Sequence, residues 1–139
     1  MEHNTTIDLE RMAFNVASVA HEGQFRRDEV TPYIEHPRAV AKRVKTPEQK
    51  AVAWLHDVLE DTPATRETLV EQGFPADVIE AVEAMTHRTG EPYQDYLERV
   101  RANSLARKVK TADMLANLAD TPTRRQIIRY AKGLIFLNE

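Results

Sequence analysis

Cysteine is absent from the 139 residues. Disulfides and thiolate metal sites are therefore excluded, and an intracellular location fits. Long apolar runs are missing too. No stretch reaches the roughly 20 residues of a membrane-spanning helix, and residues 1–20 lack the basic-then-apolar order of a secretory signal. The expectation is a cytoplasmic protein with no membrane partner. There is no basic excess: the formal net charge is −3 with Lys and Arg scattered, which argues against a nucleic-acid polymer as partner. Sustained apolar–polar alternation, β-branched runs, internal repeats and low-complexity linkers are all lacking. What remains is an all-α chain, one domain over 1–139, long enough to bury a core without staples.

Pro, Gly and Thr punctuate that chain into about seven or eight helices. The first spans about Ile7 to Glu22 and stops at Gly23. A loop from Gln24 to His36 precedes a helix from Arg38 to Val44, with Pro37 at its first turn. Thr46-Pro47-Glu48-Gln49 is a helix start, with a Thr cap, Pro at the first position and Gln three residues after the cap. This helix is expected to run unbroken to Thr62-Pro63. Further helices are expected near 66–72, 75–86, 92–102, 105–119 and, at the C-terminus, 123–137.

The chemistry concentrates in Trp54-Leu55-His56-Asp57-Val58-Leu59-Glu60-Asp61. Ala51, Val52, Ala53, Trp54, Leu55, Val58 and Leu59 make this helix apolar nearly all round, and such a helix is buried. Two ionisable pairs inside it need a compensating partner, and a divalent cation is the best candidate. On a continuous helix Glu60 would share a face with His56 and Asp57, and Asp61 with Asp57. His36, set before Pro37, and Asp113, one turn beyond Lys110 and one before Asn117, complete a set of two imidazoles and two carboxylates. His36, His56, Asp57 and Asp113 suit Mn²⁺, Fe²⁺, Co²⁺ or Zn²⁺ better than Ca²⁺ or Mg²⁺. Glu60 and Asp61 then stand where a general base or proton donor is wanted.

His36, then His56-Asp57, then Asp113 resembles the HD phosphohydrolase superfamily. Four segments narrow the likeness: His21–Arg27, Thr31–Pro37, Leu55–Thr62 and Lys110–Leu118. Together they resemble the hydrolase domain of the RelA/SpoT family and its single-domain alarmone hydrolases, over roughly residues 10–120. The resemblance implies a compact HD-domain helical bundle. It implies a Mn²⁺-dependent enzyme that removes pyrophosphate from the 3′ position of guanosine tetra- or pentaphosphate in the stringent response. It implies metal ligands His36, His56, Asp57 and Asp113 and a catalytic pair Glu60 and Asp61. Arg26 is expected to pack on the base, Arg27 to meet phosphate, and Lys110 and Asn117 to contact the substrate. Two positions depart from the family pattern. Thr111 replaces an aliphatic residue, and Asp120 replaces a small hydroxyl residue, where a carboxylate would repel phosphate. No synthetase or regulatory domain fits this length.

Other readings compete. One is an HD nucleotidase or phosphatase acting on another nucleotide, such as NADPH or a nucleoside monophosphate. Another is a metal-dependent alarmone sensor without turnover, against which the Glu60-Asp61 pair argues. The remaining histidines have plainer expectations. His3 belongs to the N-terminal tail, His87 to a surface loop, and His21 to a helix end where it positions the Arg26 loop. Trp54 is expected in the core. A homodimer through an apolar helix face is one partner arrangement the sequence allows, and Leu134–Leu137 is a candidate for that contact or, equally, for closing the chain's own core.

Overall fold

In the computed structural model residues 5–139 are described, with side chains from residue 9 onward; His3 lies outside them. The helices run α1 (Thr5–Ala20), α2 (Glu35–Ala41), α3 (Pro47–Leu55), α4 (Val58–Asp61), α5 (Arg66–Glu71), α6 (Ala76–Ala84), α7 (Tyr93–Ala102), α8 (Ser104–Leu118) and α9 (Arg124–Asn138). Among the described residues the nearest thing to a strand is one isolated bridge, Phe25 to Pro32. The all-α expectation holds. No helix among those residues is long and apolar enough to cross a membrane.

α3 is the central element and packs against α1, α2, α6 and α8. Its N-terminus is fixed as the sequence suggests. Thr46 Oγ accepts from the Gln49 N–H at 3.1 Å, and Gln49 Oε1 accepts from the Thr46 N–H at 3.2 Å. Lys50 reaches back from α3 and donates to the carbonyls of Ala41 and Val44, capping the end of α2. Ala51 through Leu55 are all buried, which accounts for a helix apolar on every side. Trp54 joins this core, its indole N–H donating to Glu10 Oε2 at 3.2 Å. Leu55, Val58, Leu69, Val82, Val109 and Met114 are fully enclosed, and truncating such a Leu costs about 2–5 kcal/mol.

Two expectations about helix limits need correction, and both bear on the site. First, the α3 helix does not run unbroken to Thr62. It stops at Leu55 and restarts as the single turn α4. The cause is local. The His56 ring N–H donates to the Ala53 carbonyl at 2.7 Å and competes for a helix acceptor. Asp57 then sits at φ −102°, ψ −1°, the sparsely allowed bridge region frequented by active-site residues. Second, His36 does not precede its helix but lies inside the first turn of α2. A first helical turn needs no intrahelical N–H donors, so Pro37 tolerates a start two residues earlier.

The segment between α1 and α2 is built rather than loose. Asp28 accepts from the backbone N–H groups of Val30 and Thr31 and from the Thr31 hydroxyl. Those bonds, Thr31's first, hold its carboxyl at about 2. Arg26 N–H donates to the Thr31 carbonyl, and Tyr33 N–H to the Gln24 carbonyl, each at 2.8 Å. This pins Arg26 and Arg27 over the start of α2.

Candidate metal centre and adjoining cleft

His36 from α2, and His56 and Asp57 from the α3–α4 break, present ligand atoms within 4.8 Å of one another. Asp113 from α8 joins them. Its Oδ1 lies 2.8 Å from His36 Nε2 and 3.4 Å from His56 Nε2. The four expected ligands are therefore brought together from three separated segments. His36, His56 and Asp113 are buried, and Asp57 is half-buried.

The protons are distributed to suit a cation. A carbonyl only accepts, so His56 Nδ1 must carry the hydrogen it places on Ala53. Once the ring is neutral, as a metal ligand must be, Nε2 is the lone pair aimed into the cluster. It is enclosed and has no hydrogen-bond partner among the described residues, although Asp57 Oδ2 stands 3.1 Å away. An orphaned imidazole nitrogen beside two carboxylates is a metal ligand's arrangement. Burial disfavours charge on His56, but Asp57 and Asp113 outweigh it and raise the ring well above the usual imidazole range. Burial likewise pushes Asp113 up, yet Lys110 and His56 outweigh it and hold the carboxyl well below its ordinary value. Asp57 follows the same logic: burial opposes its charge, His56 favours it, and the result is about 2. A half-neutralised negative cluster of mixed nitrogen and oxygen donors fits a divalent transition metal.

The residues around the ligands fall into a second layer. Tyr33 donates its hydroxyl to Asp57 Oδ2. Burial and Asp57 push its phenol far up, so it stays a donor. Lys110 donates to Asp113 Oδ2 at 3.0 Å, leaving Oδ1 facing the histidines. Asn117 also donates to Asp113, at 3.3 Å to Oδ1. Lys110 and Asn117, expected at the nucleotide, thus spend their donors on a ligand carboxylate. Burial alone would lower the Lys110 ammonium, but Asp113 raises it well above its ordinary value. It is a fixed positive charge.

The acidic pair sits at the open edge of the cluster. Asp61 is pushed up to about 6, first by burial and then by Asp57 and Glu60. Glu60 is turned differently: its Oε1 accepts from the His87 N–H at 2.8 Å. His87 is accordingly no free surface residue. It is half-buried, its ring packs against Tyr93 and Tyr96, and Nε2 meets the Glu91 carbonyl at 2.8 Å.

A cleft of about 620 Å³ opens beside His36, lined by Arg26, Arg27, Thr31, Arg43, Ala116 and Asp120 among others. This is room for a nucleotide. Arg26 donates to Asp120 Oδ2 at 2.7 Å and stands 5.9 Å from the Tyr33 ring centre. The unusual Asp120 is thus paired with Arg26 rather than left to repel phosphate. Tyr33 holds Asp57, and the His21 ring lies against Tyr33. Their placement depends on contacts that no spacing rule reveals.

Comparison with known proteins agrees with this geometry. A family model described as HD domain matches residues 13–137. The bifunctional (p)ppGpp synthase/hydrolase SpoT of Escherichia coli (strain K12) is 42% identical over 97 residues, covering 67% of this chain and 14% of that protein. A guanosine-3′,5′-bis(diphosphate) 3′-pyrophosphohydrolase of Haemophilus influenzae (strain ATCC 51907 / DSM 11121 / KW20 / Rd) is 47% identical over 75 residues, 51% of this chain and 11% of that protein. The chain thus spans a small part of these bacterial relatives. The 3′-pyrophosphohydrolase MESH1 of Danio rerio is 35% identical over 129 residues, covering 84% of this chain and 70% of that protein. A solved structure, described as a metazoan ortholog of SpoT that hydrolyzes ppGpp and plays a role in starvation responses, superposes with TM-score 0.77 at 27% identity. The match covers 99% of this chain and 87% of that one. The chain belongs to the HD-domain family and is similar to that family's ppGpp hydrolases.

Proposed function

We propose that the chain is a divalent-metal-dependent 3′-pyrophosphohydrolase of guanosine tetra- or pentaphosphate. The observation that carries this is the enclosed, unpartnered His56 Nε2 facing Asp57, Asp113 and His36 at the mouth of a nucleotide-sized cleft. His36, His56, Asp57 and Asp113 would hold the ion, Mn²⁺ foremost. When bound, it supplies positive charge to the phosphate oxygens and acidifies water.

The chain's own groups do the rest. Arg26 lays its planar guanidinium against the base, held in place by Asp120. Arg27 and Arg43 line the same cleft and meet phosphate. Asp61, poised near 6, takes the proton of the attacking water. The water oxygen bonds to the phosphorus next to the ribose 3′ oxygen. That phosphorus–oxygen bond breaks, pyrophosphate departs, and the 3′ oxygen regains a proton. Glu60 holds the loop at His87 and keeps the Asp61 carboxyl up by repulsion. Lys110 and Asn117 act through Asp113.

A cytoplasmic role in the stringent response follows from this activity. Leu137 is buried in the core and Leu134 and Phe136 pack against it, so of the expected contact only Ile135 is left to a homodimer, with Ile127 and Ile128 beside it on α9. The test is metal analysis with activity after chelation and reloading with Mn²⁺, Co²⁺, Zn²⁺ or Mg²⁺. One ion per chain and Mn²⁺-restored turnover of guanosine tetraphosphate support the proposal. Turnover of NADPH or a nucleoside monophosphate instead would make this a nucleotidase. Binding of the tetraphosphate without products would make it a sensor.

A further inference from the structure

α4 is one turn of four residues, Val58–Asp61. A single turn has too few internal bonds to fix itself. Its Asp61 N–H donates to the Asp57 carbonyl at 2.9 Å, and the Thr62 hydroxyl donates to the Val58 carbonyl at 2.7 Å. Where the Asp61 carboxylate points therefore depends on anchors from elsewhere.

One anchor comes from the segment after α1. Gln24 donates its amide N–H to the Asp61 carbonyl oxygen at 3.0 Å. Because that carbonyl only accepts, the amide nitrogen of Gln24 must face Asp61, and Oε1 faces His21 Nδ1 at 2.8 Å. His21 therefore carries its proton on Nδ1 and donates it to Gln24. His21 is 3% exposed, and its Nε2 is enclosed without a partner among the described residues. Its ring lies 4.8 Å, centre to centre, from that of Tyr33, the residue whose hydroxyl holds Asp57. One buried imidazole thus touches both arms that reach the catalytic turn.

We propose that His21 and Gln24 are positioning residues that set the Asp61 carboxylate relative to the metal ligand Asp57, through the His21 Nδ1–H, the Gln24 amide and the Asp61 carbonyl. This rests on the role given to Asp61 above. His21 is here neither ligand nor base, and the active nitrogen is Nδ1.

Side-chain mimicry separates the two nitrogens. An Asn amide can place a donor where Nδ1 stands, whereas a Gln amide reaches the place of Nε2. His21→Ala and Gln24→Ala should lower kcat on the order of 10²-fold, as a misplacement of about 1 Å does. KM and the Mn²⁺ stoichiometry should stay unchanged. His21→Asn should recover most of kcat, and His21→Gln should not. Recovery by Gln but not Asn, or loss of Mn²⁺ in His21→Ala, would overturn the proposal. Amide hydrogen exchange of residues 58–62 is measured on the same proteins with no substrate present. Faster exchange in both Ala variants, reversed by His21→Asn, supports the brace even if wild-type protein leaves guanosine tetraphosphate intact, an outcome that would count against the proposed function alone. Unchanged exchange in both Ala variants would overturn the brace whatever the activity.

Discussion

Lys110→Met removes the ammonium from a carboxylate that has almost no access to water. The side chains are 14% and 6% exposed and 3.0 Å apart. Breaking a buried pair by deleting one partner costs about 3–5 kcal/mol, because the other charge is left uncompensated. Here His36 and Asn117 still contact the other oxygen of Asp113, which puts the metal-free protein at the low end, about 3 kcal/mol. Unfolding entropy near 2.1 cal/mol/K per residue makes 1 kcal/mol worth roughly 3–4 °C in a chain of this length, so Tm should fall about 10 °C. Metal binding should move the other way. With the ammonium gone, the Asp113 carboxylate is shared only with His36, His56 and Asn117, and Mn²⁺ should bind at least as tightly as in wild type. Saturating Mn²⁺ should then recover more Tm in the variant than in wild type, by mass action on the native state. Differential scanning calorimetry with and without Mn²⁺ reads both effects. An unchanged metal-free Tm together with a Kd for Mn²⁺ weakened tenfold would refute the assignment of Lys110 to Asp113.

Other outcomes follow from the same geometry. Asp57→Ala should abolish stoichiometric Mn²⁺ binding as read by metal analysis, since it removes a carboxylate from the cluster. The Asp61 carboxyl is raised in the folded state, so it stabilises below its unfolded value near 4 and loses that contribution as pH rises through about 6. Asp61→Asn should therefore stabilise the metal-free protein at pH 7, by about 1 kcal/mol after allowing for solvent screening of a largely exposed group, and urea titration at pH 4 and pH 7 should show nearly all of the gain at the higher pH. Asp120→Ala frees Arg26 from its ion pair and should change KM more than kcat, an expectation checked by steady-state kinetics.

The cluster of His36, His56, Asp57 and Asp113 was legible because its residue types are costly to bury and sit in apolar surroundings. His56 and Asp57 stand after five buried residues, Ala51 to Leu55, and nothing but a paired or metal-bound role tolerates that. The helix starts at Thr46 and Thr123 were equally readable, since their capping boxes are local. The break at His56 was not. A ring N–H taking the Ala53 carbonyl leaves no trace in hydrophobic periodicity. The direction of Lys110 and Asn117 was hidden for a related reason. Spacing placed both beside Asp113, but not whether their donors face the ligand or the cleft. Tyr33 and Asp57 are 24 residues apart, and Arg26 and Asp120 are 94 apart. Such pairings arise from how α2, α3 and α8 pack, and only the folded chain displays them.

The central claim is that a cation held by His36, His56, Asp57 and Asp113 supports cleavage between phosphorus and the ribose 3′ oxygen. Hydrolysis of guanosine tetraphosphate in ¹⁸O-labelled water by the Mn²⁺-loaded protein tests it most directly. The account predicts GDP with an unlabelled 3′ hydroxyl and one ¹⁸O in the released pyrophosphate, with no products after chelation. Release of orthophosphate, label in the ribose, or undiminished turnover in the presence of chelator would contradict it.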